Sequence, residues 1–289
     1  MGVFDGVHIG HRRILDEVTL LARGLGTRSI VVTFEPHPIA VLQPGETPMM
    51  LTSLREKLDL LRSAAPDEAV VLEFNPNLAR RKAEWFVERV LLGKLNMARL
   101  VIGYDFRFGH GRRGDASYLE TLGERLGFGV DIVPPVVSRG HPVSSTRIRT
   151  ALSRGEVRSA GVMLGRPYCL SGKVVRGEGR GRMLTYPTAN LELGDTGKML
   201  PLGGVYAARV RVKGRMHKGV LYVGTRPTYG GGAIGVEIHL MDWAGALYRS
   251  TVDACFVERL RGEKVFRGDA SLRRAISRDV EAARAVLDN

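Results

Sequence analysis

The chain has 289 residues, enough for two ordinary domains, and its apolar and charged fractions of 44% and 25% are those of a soluble globular protein. No stretch approaches the roughly 18 apolar residues of a membrane span, and Phe4-Asp5-Gly6-Val7-His8 interrupts any signal-peptide pattern, so the reading is a cytoplasmic protein. The net charge is +13, and only eight of the 43 basic residues are lysine, so the excess is arginine, which suits acidic ligands or a solvated basic surface.

The first half alternates helical and strand-like patterns. Ile14, Leu15, Val18, Leu21, Ala22 and Leu25 share one helical face, and Gly26 stops the helix. Ser29–Phe34 reads as a buried strand. Then follow a helix near Leu54–Leu61, a strand at Ala69–Leu72, a helix over Ala79–Leu92 and a strand at Leu100–Gly103. A helix near Tyr118–Leu126 leads to a strand at Val130–Val133. This alternation predicts an α/β domain with a doubly wound parallel sheet.

The pattern changes near Gly165-Arg166-Pro167. Tyr206, Ala208, Val210 and Val212 alternate with Arg209, Arg211 and Lys213, and Val236, Ile238 and Leu240 alternate with Glu237 and His239. Short strands with glycine-rich turns predict a small antiparallel barrel or sandwich. Leu272, Ile276, Val280, Ala283 and Leu287 give the tail one apolar helical face. The expected domains are residues 1–160 and 161–289. Cys169 and Cys255 form no CxxC pair, and no disulfide framework is expected.

Chemistry-bearing motifs sit at element ends. His8-Ile9-Gly10-His11 opens the first helix, where free N–H groups and the macrodipole attract phosphate. Gly10 would admit close approach, and both imidazoles could donate to phosphate oxygens; capping or surface histidines are the competing reading of the tetrapeptide. Thr33–Pro38 and Gly103–Gly109 each follow a strand. Ser144-Ser145-Thr146-Arg147-Ile148-Arg149 opens a helix with hydroxyls, amides and guanidinium groups. Gly109–Gly114 satisfies GxGxxG, with Asp131 downstream, but five residues separate it from the strand end, so it reads as a mobile basic loop rather than a dinucleotide turn.

In the second half, Arg176–Arg182 is a glycine-rich basic hairpin, open to reading as a phosphate wrap or a plain turn. Thr188 and Asn190 stand two apart on an extended segment and point the same way, so both could reach one Mg²⁺–phosphate group. Glu237 lies opposite Val236 and Ile238, either facing solvent or lining a pocket as a general base.

The strings GVFDGVHIGH, TFEPHP, GYDFRFG and SSTRIR resemble the adenylyltransferase half of bacterial bifunctional riboflavin kinase/FAD synthetases, of the HxGH nucleotidyltransferase superfamily. GRPYCLSGKVVRGEGRGR, YPTANL, GGVYAARV, VGTRPTYGGG and VEIHLMDW resemble the riboflavin kinase domain of the same family, a six-stranded antiparallel barrel with a C-terminal helix. The resemblance implies phosphorylation of riboflavin to FMN and adenylylation of FMN to FAD, with ATP as co-substrate and Mg²⁺ as cofactor.

Residue by residue, it implies that His8, His11 and Gly10 attend the α-phosphate of ATP, that Ser145, Thr146 and Arg149 hold the triphosphate, and that Asp105 and Phe106 line the nucleotide or flavin site. Gly177, Gly179 and Gly181 would form a flap over phosphates, Thr188 and Asn190 would bind Mg-ATP, and Glu237 would activate the ribityl hydroxyl. Riboflavin, FMN, FAD and ATP are the expected partners, with neither nucleic acid nor membrane.

Some positions depart from the family pattern. A full strand is expected ahead of Gly2, where only Met1 stands, so the first domain is expected to lack its first, central strand. A riboflavin kinase with an inactivated first domain is the alternative this raises. Val3 and Tyr222 stand where asparagine is common, and Thr185 where glycine is usual.

Overall fold

The computed structural model describes residues 1–64, 66–175, 186–194, 197–225, 234–245 and 247–288, excepting the side chains of Thr225 and Ile234. The chain divides into two compact units, Met1–Ser145 and Thr146–Asn289.

The first unit is α/β. Its elements are α1 (Ile9–Leu25), β1 (Ile30–Glu35), α2 (Pro38–Leu42), α3 (Leu54–Ser63), β2 (Glu68–Glu73), α4 (Pro76–Ala79), α5 (Ala83–Phe86), β3 (Arg99–Gly103), α6 (Ala116–Leu126) and β4 (Gly129–Val133). A short ribbon, β5 (Val137–Ser138) with β6 (His141–Pro142), precedes α7 (Ser145–Ser153). The strands run parallel, as the alternation predicts, but in two pairs, β1 with β2 and β3 with β4. Successive residues of β1 face opposite ways: Val31 packs with Phe4, Val7, Leu15 and Leu61, and Val32 with Phe86, Val87, Leu100 and Ile102. Both faces of β1 are therefore buried, which explains its unbroken apolar run.

The Gly2 N–H donates to the Val32 carbonyl at 3.0 Å, the Thr33 hydroxyl donates to the Val3 carbonyl at 3.1 Å, and Met1 is buried. A cavity of about 260 Å³ lies among Met1, Val18 and Leu21 of α1, Ile30 and Val32 of β1, and Leu100 and Val101 of β3.

One predicted helix is broken. Residues 79–92 do not form a single helix, because the Arg81 carbonyl accepts the His110 N–H at 2.9 Å, outside any helical ladder. After α5 the chain widens into a π-helical turn, Val87–Leu92, where the Gly93 N–H reaches the Glu88 carbonyl. The GxGxxG segment is pinned rather than loose. Phe108 and Gly114 exchange backbone hydrogen bonds, and a Cβ at Gly109 or Gly114 would come within 2.7 Å of Ala83 atoms. Those glycines serve the packing of their own loop against α5.

The second unit holds most of α7, then α8 (Val157–Leu164), β7 (Cys169–Val175), β8 (Ala189–Glu192), β9 (Gly204–Val212), β10 (Arg215–Thr225), β11 (Ile234–Leu240), β12 (Thr251–Arg261) and α9 (Asp269–Asp288). Six antiparallel strands close a barrel in the order β10-β11-β8-β7-β12-β9. The predicted period of two holds: Tyr206, Ala208, Val210, Leu221, Val223, Val236, Ile238 and Phe256 are all fully buried. Helix α9 packs Ala283 and Leu287 against Ala207 of β9, Val220 of β10 and Met241 just after β11.

Contrary to expectation, Cys169 and Cys255 are joined by a disulfide. They are direct partners in the β7–β12 ladder, 86 residues apart in sequence, so barrel closure creates a proximity that spacing cannot show.

Candidate functional sites in the two units

In the first unit the site is built on a turn. Phe4 and Val7 have φ of 54° and 37°, with Gly6 at 82°, so the chain bends sharply before α1. The buried Asp5 holds this bend: its carboxylate accepts from the N–H groups of Leu51 and Thr52 at 3.0 and 3.1 Å, and from the Thr52 hydroxyl. The Gly6 N–H donates to the Thr52 hydroxyl oxygen.

The bend delivers His8 as the N-cap of α1, its Nδ1 accepting from the His11 N–H at 3.2 Å. In the neutral ring the proton then sits on Nε2, which becomes the donor. His8 and His11 stack with centroids 3.6 Å apart and planes 15° apart, and Phe4 meets His11 edge-on. Burial, then the neighbouring charges of His8 and the amino terminus, hold His11 well below the ordinary histidine range. Its Nδ1 is buried without a hydrogen-bond partner among the described residues. Capping and ligand chemistry thus coexist here. Gly10 has a local reason too: a Cβ there would lie 3.1 Å from the His8 ring.

Ser145 is drawn to the same bend, its hydroxyl donating to the Asp5 carbonyl at 2.8 Å. Thr146, exposed, and Arg149, half-buried, follow it in the first turns of α7. At the end of β3, Asp105 is exposed and Phe106 stacks on Phe108, which meets Phe86 edge-on.

The sequence reading missed Asp5 and Lys57. Lys57 is 2% exposed, donates to the Phe34 carbonyl at 3.3 Å and lies 3.6 Å from the Glu35 carboxylate. Burial lowers its pKa, and the charges of Glu35 and Asp5 oppose that shift. One signal was available: a lysine among Leu54, Leu58 and Leu61 on an apolar helical face, just after the Ser53–Glu56 capping box.

In the second unit three side chains form a row. Asn190 on β8 pairs with Glu237 on β11, and Glu237 pairs with Tyr222 on β10. Directly opposed residues project to one face, here the outer one, since Ala189, Val236 and Leu221 are buried inward. The Asn190 Oδ1 is buried and makes no hydrogen bond among the described residues. The Tyr222 hydroxyl donates to Glu263 at 2.9 Å, and burial, that bond and the charges of Glu263 and Glu237 push its pKa up to about 12.

Gly203 and Gly224 make room for Glu263, since a Cβ at either would lie within 2.7 Å of its carboxylate. Glu263, 41 residues from Tyr222, lies within the string LRGEKVF that resembles the family's tail, but nothing in that string assigned it a role. Thr188 precedes β8 beside Pro187, whose carbonyl lies 3.0 Å from the His239 Nδ1. Gly177, Gly179, Gly181 and Thr185 lie outside the described residues. Among the described residues no three or more His, Cys, Asp or Glu side chains cluster to hold a metal.

A parallel α/β unit with imidazoles at a helix start, followed by a closed barrel with an amide–carboxylate row, defines a two-part transferase. The sequence family of FAD synthetase matches residues 1–147, and that of riboflavin kinase matches residues 164–287. The chain belongs to the family of bifunctional riboflavin kinase/FMN adenylyltransferases.

Curated relatives of that description include those of Pseudomonas fluorescens (38% identical, covering 99% of this chain and 91% of the relative), Haemophilus influenzae (34%, 100% and 94%) and Escherichia coli K12 (35%, 98% and 90%). A crystal structure of a protein named macrolide-efflux protein, from Streptococcus pneumoniae, is 31% identical with a TM-score of 0.90, covering 98% of this chain and 92% of that one. Among the described residues no helix is long and apolar enough to cross a membrane. The chain carries both transferase units, and the kinase-only reading finds no support in these matches.

Proposed function

We propose that His8, His11 and Ser145 of the first unit, with Thr146 and Arg149 next along α7, transfer the adenylyl group of ATP to FMN, and that the second unit phosphorylates riboflavin with Glu237 as general base. One observation carries both halves. Of the four buried polar side-chain atoms without a partner among the described residues, two belong to residues of these sites, the His11 Nδ1 and the Asn190 Oδ1. A buried unmatched polar atom is disfavoured unless a ligand completes it.

In the first unit, an FMN phosphate oxygen attacks the α-phosphorus of ATP and the bond to pyrophosphate breaks. Neutral imidazoles are the donors required there. Their stacking disfavours two adjacent imidazolium ions. Thr146 and Arg149 add a hydroxyl and a guanidinium at the start of α7. Asp105 and Phe106 line the nucleotide or flavin site beyond β3.

In the second unit, Glu237 accepts the proton of the ribityl hydroxyl as it attacks the γ-phosphorus, and ADP leaves. Thr188 and Asn190 would hold Mg²⁺, which suits their oxygen donors, and the ion would neutralise charge on the β- and γ-phosphates. Tyr222 stays neutral and anchors Glu263 beside the base. We place the enzyme in the cytoplasm, with domains 1–160 and 161–289.

The test supplies ATP and Mg²⁺ with riboflavin or with FMN. Glu237→Gln is expected to lower FMN formation by about 10²–10⁴-fold while still adenylylating FMN. His8→Ala with His11→Ala is expected to do the reverse. A Glu237→Gln protein with undiminished kinase turnover overturns the assignment.

A further inference from the structure

Arg12 carries an unusual electrostatic burden. It lies in the first turns of α1, four residues after the capping His8, and that end of the helix already has positive partial charge. No acidic residue stands in the first turn. The adjacent Arg13 pairs with Glu17, one turn along, at 3.1 Å. Arg12 has the equivalent candidate in Asp16, also one turn along, yet no ion pair joins them.

The Nε of Arg12 is buried and makes no hydrogen bond among the described residues. Long helical side chains lean back over the preceding turn, which for Arg12 is the turn bearing His8 and Ile9. The other buried, unmatched nitrogen of this segment is the His11 Nδ1. Two adjacent residues therefore leave donor-capable nitrogens unmatched where a helix start favours an anion.

We propose that Arg12 is a third anion-binding side chain of the adenylyltransferase site and holds the pyrophosphate portion of ATP, the group that departs. This rests on the adenylyl-transfer reading above. Stacked imidazoles are compact donors suited to one phosphoryl group, whereas a guanidinium fork spans oxygens of neighbouring phosphates. When the oxygen of FMN bonds to the α-phosphorus, the bond to the bridging oxygen breaks and its electron pair leaves with pyrophosphate. Arg12 faces the charge that develops there. A guanidinium whose Nε has no hydrogen-bond partner among the described residues is thus matched when the polyphosphate binds.

The experiment compares the full chain with Arg12→Gln and Arg12→Lys. Isothermal titration with Mg-pyrophosphate reads binding directly, and conversion of FAD and pyrophosphate to ATP and FMN reads it under turnover. Pyrophosphate is a product of adenylyl transfer and not of the kinase reaction, so the reverse conversion reads the first unit's site alone. Arg12→Gln is expected to weaken pyrophosphate about 10- to 100-fold, the range for losing a charge-assisted hydrogen-bonding partner. Arg12→Lys, which keeps the charge and loses the fork, is expected to fall between.

The melting temperature of the first unit should hold or rise in Arg12→Gln, because a cation leaves the wrong end of a helix. Unchanged pyrophosphate affinity in Arg12→Gln overturns the proposal, as does an affinity loss matched by a lower melting temperature that Arg12→Lys fully restores. If the wild type binds pyrophosphate through Arg12 but makes no FAD, the adenylyl-transfer reading fails and the anion-site assignment stands. If it makes FAD and Arg12→Gln binds pyrophosphate normally, the reverse holds.

Discussion

Asp5 shows how much one unremarked residue can govern. Its carboxylate satisfies two backbone N–H groups and a hydroxyl, and its carbonyl accepts the Ser145 hydroxyl, so the turn that presents His8 depends on it. Asp5→Ala strands those N–H groups in a buried place, where each unmatched donor costs about 1–3 kcal/mol. We expect the first unit to lose roughly 3 kcal/mol or more in denaturant unfolding, with FAD formation falling alongside and FMN formation kept. Nothing in a single sequence distinguishes this aspartate from a surface one. His8, His11 and Glu237 were legible because imidazole and carboxylate chemistry at element ends narrows the options. Glu263 was not, because only the barrel brings it to Tyr222.

At the scale of elements, three ion pairs among the described residues fasten α9 to the barrel side of the unit, Lys218 with Asp288 being one, and the other two differ sharply in environment. Arg261 binds Asp279 through two bonds of 2.8 Å, and the Asp279 side chain is 10% exposed. Arg284 binds Asp242 through two bonds of 3.0 Å, but that aspartate is 69% exposed. Removing one partner of the enclosed pair leaves a charge without its match, whereas water replaces the exposed one. Thermal unfolding should therefore show Asp279→Ala costing the second unit about 2–4 kcal/mol and Asp242→Ala under about 1 kcal/mol.

The apolar face of α9 was plain from its period, and its bonding to β12 was not. The helix expected over residues 79–92 shows the opposite error. Periodicity favoured one helix there, but the Arg81 carbonyl is claimed by His110 from a distant loop.

Across the whole molecule, pH should act mainly on the first unit. Burial, then the neighbouring charge of His8, holds His11 well below its ordinary value, so the folded state keeps this base neutral. Below about 6.5, the unfolded value, the unfolded chain binds more protons there than the folded chain does, so stability falls as the pH drops through that value. Thermal unfolding from about pH 5 to about pH 8 should show the first unit losing stability at the acid end. His11→Gln should flatten that loss.

The sequence by itself determined the two architectures, because period 3.6 against period 2 is a local property that each segment carries alone. It also placed the histidine pair, the hydroxyl-rich start of α7 and the Thr188–Asn190 segment, since helix starts and extended pairs are local as well. Only the tertiary structure decided that Asn190, Glu237 and Tyr222 form one row, that Cys169 meets Cys255, and that Asp5 and Lys57 are buried beside the first site. Those facts depend on strand register and closure between segments up to 86 residues apart, and no local pattern fixes such pairings.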